Sequence, residues 1–179
     1  MIRRRRAAAM LLLVIGWTMT GTAPVRAEDP AAPATLRLDG AVEHAKTYTI
    51  DDLRKLPAAK ENIVFSTGRG PVNASFTGVL LWDLLSEAEV GGGHGAARTD
   101  MLRKYVVASG RDGYRVVLSL GEVIPAFGGE QVIVAYAQNG APIGGGGGAL
   151  RLIVPGDKDG GRNVRDLERI DVREAQPGE

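Results

Sequence analysis

Short runs of apolar and β-branched residues alternate with turn-forming residues along most of this chain. Strand patterns lie at residues 35–38, 47–50, 105–108, 114–118, 132–137, 150–154 and 169–173. Two of these runs, 105–108 and 114–118, are joined through Arg111-Asp112-Gly113, which predicts a β-hairpin. Many short strands with short helices between them, and without regular βαβ crossovers, predict an α+β domain with mixed, strand-rich sheets.

Three short helices are predicted between the strands. Residues 51–56 form a brief helix that Pro57 stops, and Thr49 is its expected N-cap. Residues 79–88 place four leucines at helical spacing, so that one stripe of this helix packs inward. Residues 119–122 have a serine and a glutamate at the spacing of a capping box, which predicts a third helix start.

A glycine-rich segment separates two strand-like pieces in the first half of the chain. The pieces are residues 63–65 and 74–76, and residues 66–72 between them contain two glycines, an arginine and a proline. This composition predicts a loop. Because loops often carry binding and catalytic groups, this loop is the first candidate site.

The first 27 residues have the pattern of an export signal. Residues 3–6 are arginines, residues 7–17 are apolar, and residues 25–27 form a small-residue cleavage site. The apolar run is shorter than the roughly 20 residues of a membrane span, which favours cleavage over an uncleaved membrane anchor. A linker (28–34) and a polar tail (176–179) then flank one predicted domain (35–175), expected in the periplasm or outside the cell.

Composition and charge exclude several classes of function. The chain has 179 residues, of which 44% are hydrophobic and 24% charged, as in ordinary globular proteins. Removing the five arginines of the signal segment changes the formal charge from +1 to −4, and no basic stripe is present, so nucleic acid is not an expected partner. The absence of cysteine excludes disulfides, zinc–thiolate sites, iron–sulfur clusters and cysteine nucleophiles.

The remaining common catalytic motifs are also missing. His44 and His94 are the only imidazoles, so a zinc site would need carboxylates to complete its ligands. No Gly-x-Ser-x-Gly elbow of a serine hydrolase occurs. The glycine run 144–148 precedes a strand, whereas a dinucleotide-binding loop must open a helix. This run is either a flexible loop or a backbone that a bulky ligand can approach closely.

Three arginines late in the chain are candidates for holding an anion. Arg151, Arg162 and Arg165 lie in a glycine-rich setting, and guanidinium groups bind phosphate and carboxylate bidentately. The alternative is surface ion pairing with nearby acidic residues, namely Asp157, Asp159 and Asp166.

Two sequence blocks and the order of the segments around them carry a family resemblance. The blocks are Thr-Gly-Val-Leu-Leu-Trp-Asp-Leu-Leu at residues 77–85 and Leu-Arg-Leu-Ile-Val-Pro-Gly at residues 150–156. With them, residues 35–172 resemble the molybdopterin-binding domain of the sulfite oxidase family. The resemblance implies a mixed α+β fold and a molybdenum atom, held by a pterin dithiolene and one protein cysteine, that transfers an oxygen atom.

The chain departs from that family at the expected metal ligand. In register with the block at 77–85, the family's cysteine falls at Ser66, which Thr67, Gly68 and Arg69 follow. A neutral hydroxyl is a harder and weaker donor to a transition metal than a thiolate. Members of the family often carry a His-Gly-x-Pro segment just before the position of Arg151. This chain has glycines and an alanine there.

The resemblance nevertheless assigns roles to particular residues. Residues 161–165 are similar to the family's Gly-x-Arg-x-Val-Lys segment near the cofactor phosphate. The implied cofactor-binding residues are Ser66, Thr67, Gly147, Arg151, Arg162 and Arg165. The implied catalytic residues are Ser66, Arg69 and Tyr114, and no protein metal ligand is assigned.

Two functions follow from this sequence. The first is an exported molybdopterin-dependent oxidoreductase of the sulfite oxidase type, which would work with a periplasmic redox partner. The second is a non-catalytic periplasmic binding or partner module that uses the same scaffold for a pterin or another small anionic ligand. The two differ in whether molybdenum is held without a cysteine ligand.

Overall fold

A computed structural model describes residues 34–92, 98–144 and 149–176 of the chain. The predicted export signal, nearly all of the linker, His94 and Gly147 lie outside these residues. The elements in chain order are β1 (Thr35–Gly40), β2 (Lys46–Thr49), α1 (Ile50–Lys55), β3 (Ala59–Thr67), β4 (Gly70–Leu80), α2 (Leu81–Glu87), α3 (Arg98–Met101), β5 (Lys104–Gly110), β6 (Arg115–Ser119), α4 (Leu120–Val123), β7 (Ile133–Gln138), β8 (Ala141–Pro142), β9 (Arg151–Ile153) and β10 (Leu167–Glu174). None of these helices is long and apolar enough to cross a bilayer.

The strands form two sheets of five strands each. The first has the order β2-β1-β10-β5-β6, and the second has the order β3-β4-β7-β8, with β9 paired to β7. Strands β1 and β10 run parallel, whereas the other pairs are antiparallel. The predicted mixed, strand-rich α+β architecture is therefore confirmed.

The first sheet and one face of the second, through Val79, Val134 and Leu152, share a larger hydrophobic cluster, and a smaller cluster covers the other face of the second sheet. The larger cluster joins the inner face of the first sheet to α1 and α2, and Leu36, Leu84 and Ile170 are fully buried within it. The smaller cluster lies on the second sheet and is built around Phe65 and Phe76. Burial of each large apolar side chain contributes about 1.5–3 kcal/mol, so the larger cluster dominates the stability of the domain.

The segment at residues 66–72, predicted as a loop, is part of a long β-hairpin. Strand β3 continues to Thr67 and β4 begins at Gly70, so the two strands meet at a tight turn. The Thr67 hydroxyl donates to the Gly70 carbonyl over 2.8 Å, and Gly70 has a φ of 108° that favours glycine. The loop prediction was wrong because the glycines belong to a tight turn. The residues on either side of this turn continue the alternating buried and exposed pattern of the two strands.

The helix boundaries were predicted in part. Thr49 is an N-cap and Ser119 begins a capping box, as expected, and Thr49 also forms a capping box; each accepts a hydrogen bond from the backbone N–H three residues on. Helix α2, however, begins at Leu81 rather than at residue 79. Val79 and Leu80 belong to β4, where they pair with β7, and cross-strand pairing holds them extended.

Candidate functional site

A cleft opens where the tip of the β3–β4 hairpin meets the β5–β6 turn and residues 159–165. It consists of two adjoining hollows of about 300 and 250 Å³ that share four lining residues, namely Thr67, Gly160, Asn163 and Arg165. The first hollow is also lined by Ser66, Gly68, Asp112, Tyr114, Asp159 and Gly161. The second is also lined by Phe65, Val72, Gln138 and Arg151.

The edge strand β3 is joined to the segment that forms the floor of the cleft. The Ser66 N–H donates to the Lys158 carbonyl over 2.9 Å, and Ser66 forms an isolated parallel bridge with Asp159. The next residue, Gly160, packs so closely that a Cβ would lie 2.5 Å from the Phe65 ring. A glycine is therefore required here, and it fixes the distance between hairpin and floor.

Tyr114 forms one wall of the first hollow. Its hydroxyl donates to the Gly161 carbonyl over 2.5 Å, and its N–H donates to the Asp112 carboxylate over 2.9 Å. The side chain remains about half exposed. Tyr114 thus connects the β5–β6 turn directly to Gly161, and this contact gives the first hollow a defined shape.

The second hollow contains the Arg151 guanidinium, which forms no ion pair with a described carboxylate, although the charge of Asp166 acts on it. The Arg151 Nη1 donates to Gln138 Oε1 over 3.3 Å, and the guanidinium carbon lies 5.7 Å from the centre of the Phe76 ring. Burial lowers the pKa of Arg151, and the charge of Arg165 lowers it further, but arginine remains protonated at neutral pH. Within residues 34–92, 98–144 and 149–176, neither Arg151 nor Arg165 forms an ion pair.

Two buried donors at the same place lack acceptors. Arg151 Nε and Asn163 Nδ2 are buried and form no hydrogen bond with any described residue. The other amide atom of Asn163 is engaged, because its Oδ1 accepts from the Val154 N–H over 2.8 Å. Leaving a buried donor unsatisfied costs about 1–3 kcal/mol, so the second hollow is suited to an anion that accepts from both.

Arg162 is engaged elsewhere. Its guanidinium donates to both Asp157 oxygens over 2.8 and 2.7 Å and to Glu122 over 2.8 Å, and Glu130 lies 3.7 Å away. The hydrogen bonds to Asp157 are the main reason why the pKa of Arg162 is raised. Arg162 lines neither hollow, so its contacts correspond to the ion-pairing alternative rather than to anion binding.

The structure brings most of the other predicted site residues together. Ser66, Thr67, Tyr114 and Arg165 line the first hollow and Arg151 lines the second. Arg69 lies in the hairpin turn, where its N–H donates to the Thr67 hydroxyl, and it lines neither hollow. Sequence reasoning missed Asn163, Gln138 and Gly160. Asn163 could have been noticed as an amide next to the buried Val164.

Comparisons with known proteins bear on the family and the fold of the chain. A family model described as the oxidoreductase molybdopterin binding domain matches residues 22–179. No curated protein matches the chain. Among solved structures, the sulfane dehydrogenase SoxCD from Paracoccus pantotrophus is similar, with 21% identity and a TM-score of 0.62 over 78% of this chain. The match covers 38% of that longer chain, and at this identity the likeness shows the fold alone.

Proposed function

Because the chain belongs to the oxidoreductase molybdopterin-binding domain family, we propose that it is an exported protein that binds a phosphate-bearing pterin of the molybdopterin class in the cleft. When such a cofactor carries molybdenum, it supplies oxygen-atom or electron transfer. The residues of this chain account for binding of the organic part of such a cofactor.

The observation that carries the proposal is the pair of buried donors in the second hollow. Arg151 Nε and Asn163 Nδ2 lack acceptors among the described residues, and Arg165 adds a second positive charge. A phosphate group would accept from both donors, and such charge-assisted hydrogen bonds are stronger than neutral ones. Arg151, Asn163 and Arg165 would thus hold the anionic end of the ligand.

The first hollow is suited to the ring system of the ligand. Gly160 and Gly161 carry no Cβ, which lets a flat ligand approach the backbone, and Thr67 and Tyr114 supply hydroxyl groups. Together the two hollows approach the size of ordinary small-molecule sites, which run from about 300 to 1,000 Å³. Contact of the same ligand with Gly147 and the rest of the glycine run 144–148 remains a prediction.

The donor set does not fit a thiolate-bound metal. Ser66, at the family's cysteine position, offers an exposed neutral hydroxyl. No group of three or more metal-ligating side chains occurs among the residues that the structure describes. We therefore propose pterin binding as the function and derive no redox step through the metal.

A second candidate is an oxidoreductase that carries molybdenum without a cysteine ligand. It is favoured by the fact that Ser66 and Tyr114 line the same hollow, where a substrate would meet the ring system. In that case Arg69 would lie at the rim, near an entering anionic substrate, and a periplasmic redox partner would exchange electrons. Cofactor analysis separates this candidate from simple binding.

The test is the cofactor content of the full chain purified from its native host. We expect about one oxidisable, fluorescent pterin per chain in the wild type and a loss of at least about tenfold in Arg151→Gln, because a buried charge-assisted contact is removed. Arg54→Gln is the matched control and should keep the pterin, because it changes an exposed arginine of α1 that pairs with Asp51, lies over the Tyr136 ring and lines neither hollow. Mass spectrometry of the periplasmic fraction should show a mature chain that begins at Glu28.

The metal content decides between the two candidates. Pterin with an equal amount of molybdenum supports the oxidoreductase, whereas pterin with no molybdenum supports the binding protein. Ser66→Ala should leave the pterin content unchanged if the hydroxyl is not a metal ligand. A wild-type protein that contains neither pterin nor molybdenum, and takes up no pterin when it is supplied, would overturn both.

A further inference from the structure

A third hollow borders the β5–β6 turn, whose next residue lines the candidate site. It has a volume of about 290 Å³ and is lined by Thr35, Arg37, Arg111, Glu168 and Arg169. We call it the arginine hollow. It shares no lining residue with the cleft, although Arg111 directly precedes Asp112, which lines the first hollow. The function proposed above uses none of its residues.

Two of its arginines are placed side by side by the parallel pairing of β1 and β10. Arg37 and Arg169 are direct partners in register, and like charges in such positions repel each other. Asp39 compensates for this repulsion, because Arg37 Nε contacts its Oδ2 at 2.5 Å and Arg169 Nε donates to its Oδ1 over 2.9 Å. The Asp39 side chain is only 9% exposed, so a buried carboxylate fixes both guanidinium groups.

The contacts with Asp39 leave the outer nitrogens of both arginines available. Only Nε of each side chain is hydrogen-bonded to a described residue, and Arg169 Nη2 lies 3.7 Å from Asp171, beyond hydrogen-bond distance. Arg111 forms no side-chain hydrogen bond or ion pair within the described ranges, while its N–H donates to the Asp166 carbonyl over 3.0 Å and holds the turn in place. Three guanidinium groups from three elements thus converge on one hollow.

The charge and shape of the hollow define the class of ligand. Around the hollow, Arg37, Arg111, Arg169 and the neighbouring Arg173 stand against three carboxylates, namely the buried Asp39, Glu168 at the lining and Asp171, which pairs with both Arg169 and Arg173, so one positive charge remains. Guanidinium forks present parallel N–H donors that match the spacing of oxygens in a tetrahedral anion, and Thr35 adds a hydroxyl. The contacts with Asp39 already hold the Arg37 and Arg169 guanidinium groups in position, so little side-chain freedom is lost at these two residues on binding.

We propose that the arginine hollow binds a doubly charged tetrahedral oxyanion, phosphate or sulfate, either free or as the terminal group of a small organic molecule. This site is independent of the pterin cleft. The test is a calorimetric titration of the full chain with sodium phosphate, sodium sulfate and glycerol phosphate at constant ionic strength, with sodium chloride as the reference. Saturable binding is expected for the oxyanions, and tighter binding of glycerol phosphate would indicate a group carried on a larger molecule.

Matched variants locate the anion. Arg111→Gln should weaken binding by about tenfold or more without affecting the fold, since Arg111 is not part of the Asp39 contacts. Arg115→Gln, an exposed arginine of the same hairpin outside the hollow, should leave the affinity unchanged. Arg151→Gln changes only the cleft, so it should remove any second binding event there and leave the binding event that depends on Arg111 unchanged.

Three results would overturn the proposal. Absence of saturable binding would do so, and so would equal small losses in Arg111→Gln and Arg115→Gln, which would indicate diffuse attraction to a basic surface. Loss of binding in Arg151→Gln but not in Arg111→Gln would place the anion in the pterin cleft. That last result would leave the proposed function standing while removing the separate site.

Discussion

The arginines of this chain differ most in how many carboxylates reach them. Arg162 contacts three, Arg37 and Arg169 share the buried Asp39, and Arg151 contacts none among the described residues. A guanidinium surrounded by carboxylates stabilises the fold, whereas one that is buried without a carboxylate remains available to an anionic ligand. The number of carboxylate partners, rather than the presence of arginine, therefore separates the structural position of Arg162 from the candidate binding position of Arg151.

At the residue scale, we predict that Arg162→Gln makes the free energy of unfolding depend less on pH in the acidic range. Burial raises the pKa of Glu122, but hydrogen bonds from Ser119 and Arg162 outweigh it, so the folded pKa lies below the usual 4.5. A carboxyl group with a lowered folded pKa stabilises the protein above pH 4.5 and loses this contribution as the pH falls through the folded value. The variant should lose about 1–2 kcal/mol at pH 7, and less at pH 3.

Urea unfolding at both pH values measures this difference. Arg54→Gln is the control, because its exposed pair with Asp51 should contribute about 0.5 kcal/mol or less at either pH. An equal loss for Arg162→Gln at pH 7 and pH 3 would contradict the electrostatic explanation and point to lost packing instead.

At the scale of elements, the β3–β4 hairpin joins the site to the second sheet. Residues 70–78 of β4 pair with β3, and residues 76–80 pair with β7, where the register shifts between Thr77 and Gly78. The backbone of β7 approaches Gly78 so closely that a Cβ there would lie 2.1 Å from the Val134 carbonyl oxygen. The irregularity therefore depends on a residue without a side chain.

We predict that Gly78→Ala destabilises the domain by about 3 kcal/mol or more, because backbone atoms would have to move. Gly68→Ala is the matched control on the same hairpin. Its Cβ would meet no atom within 4 Å, and Gly68 does not have a positive φ, so its unfolding midpoint should stay close to that of the wild type. Similar thermal midpoints for the two variants would contradict this account of the hairpin.

Local elements were predicted from the sequence more successfully than long-range ones. The capping boxes of Thr49 and Ser119 depend on residues three positions apart, so the sequence reveals them directly. The β5–β6 hairpin was equally clear because a glycine turn joins two β-branched runs. By contrast, nothing near Val79 and Leu80 indicates that β7, some 50 residues later, holds them in a strand.

At the scale of the whole molecule, the cleft is assembled from segments that are far apart in the chain. The family resemblance identified Ser66, Tyr114 and Arg165, which lie in three different segments of its lining. Asn163 was missed because its role depends on which amide atom is already bonded, and only the fold determines that. The sequence did not distinguish the role of Arg162 from that of Arg165, because both are arginines within a few residues of an aspartate. Only their burial and their ion pairs in the fold distinguish them.

The first sheet depends on its last strand, which leads to a prediction for the whole domain. Strand β10 lies between β1 and β5, and it buries Ile170 and Val172 in the larger cluster. Deleting residues 167–179 should abolish cooperative unfolding, because two strands lose their partner and the core is opened. Deleting residues 176–179 alone should leave the transition unchanged, as measured by circular dichroism. A cooperative transition in the larger deletion would contradict this role of β10.

The parallel pairing of β1 with β10 also has a consequence for how the protein is made. A ribosome synthesises β1 before any other strand and β10 after all the others that the structure describes, yet the two are neighbours in the sheet. At roughly 5–20 residues per second, the nascent chain waits for several seconds before its larger core can close. During that interval the apolar residues of its first sheet are accessible to chaperones, and the larger core closes only after β10 has been made.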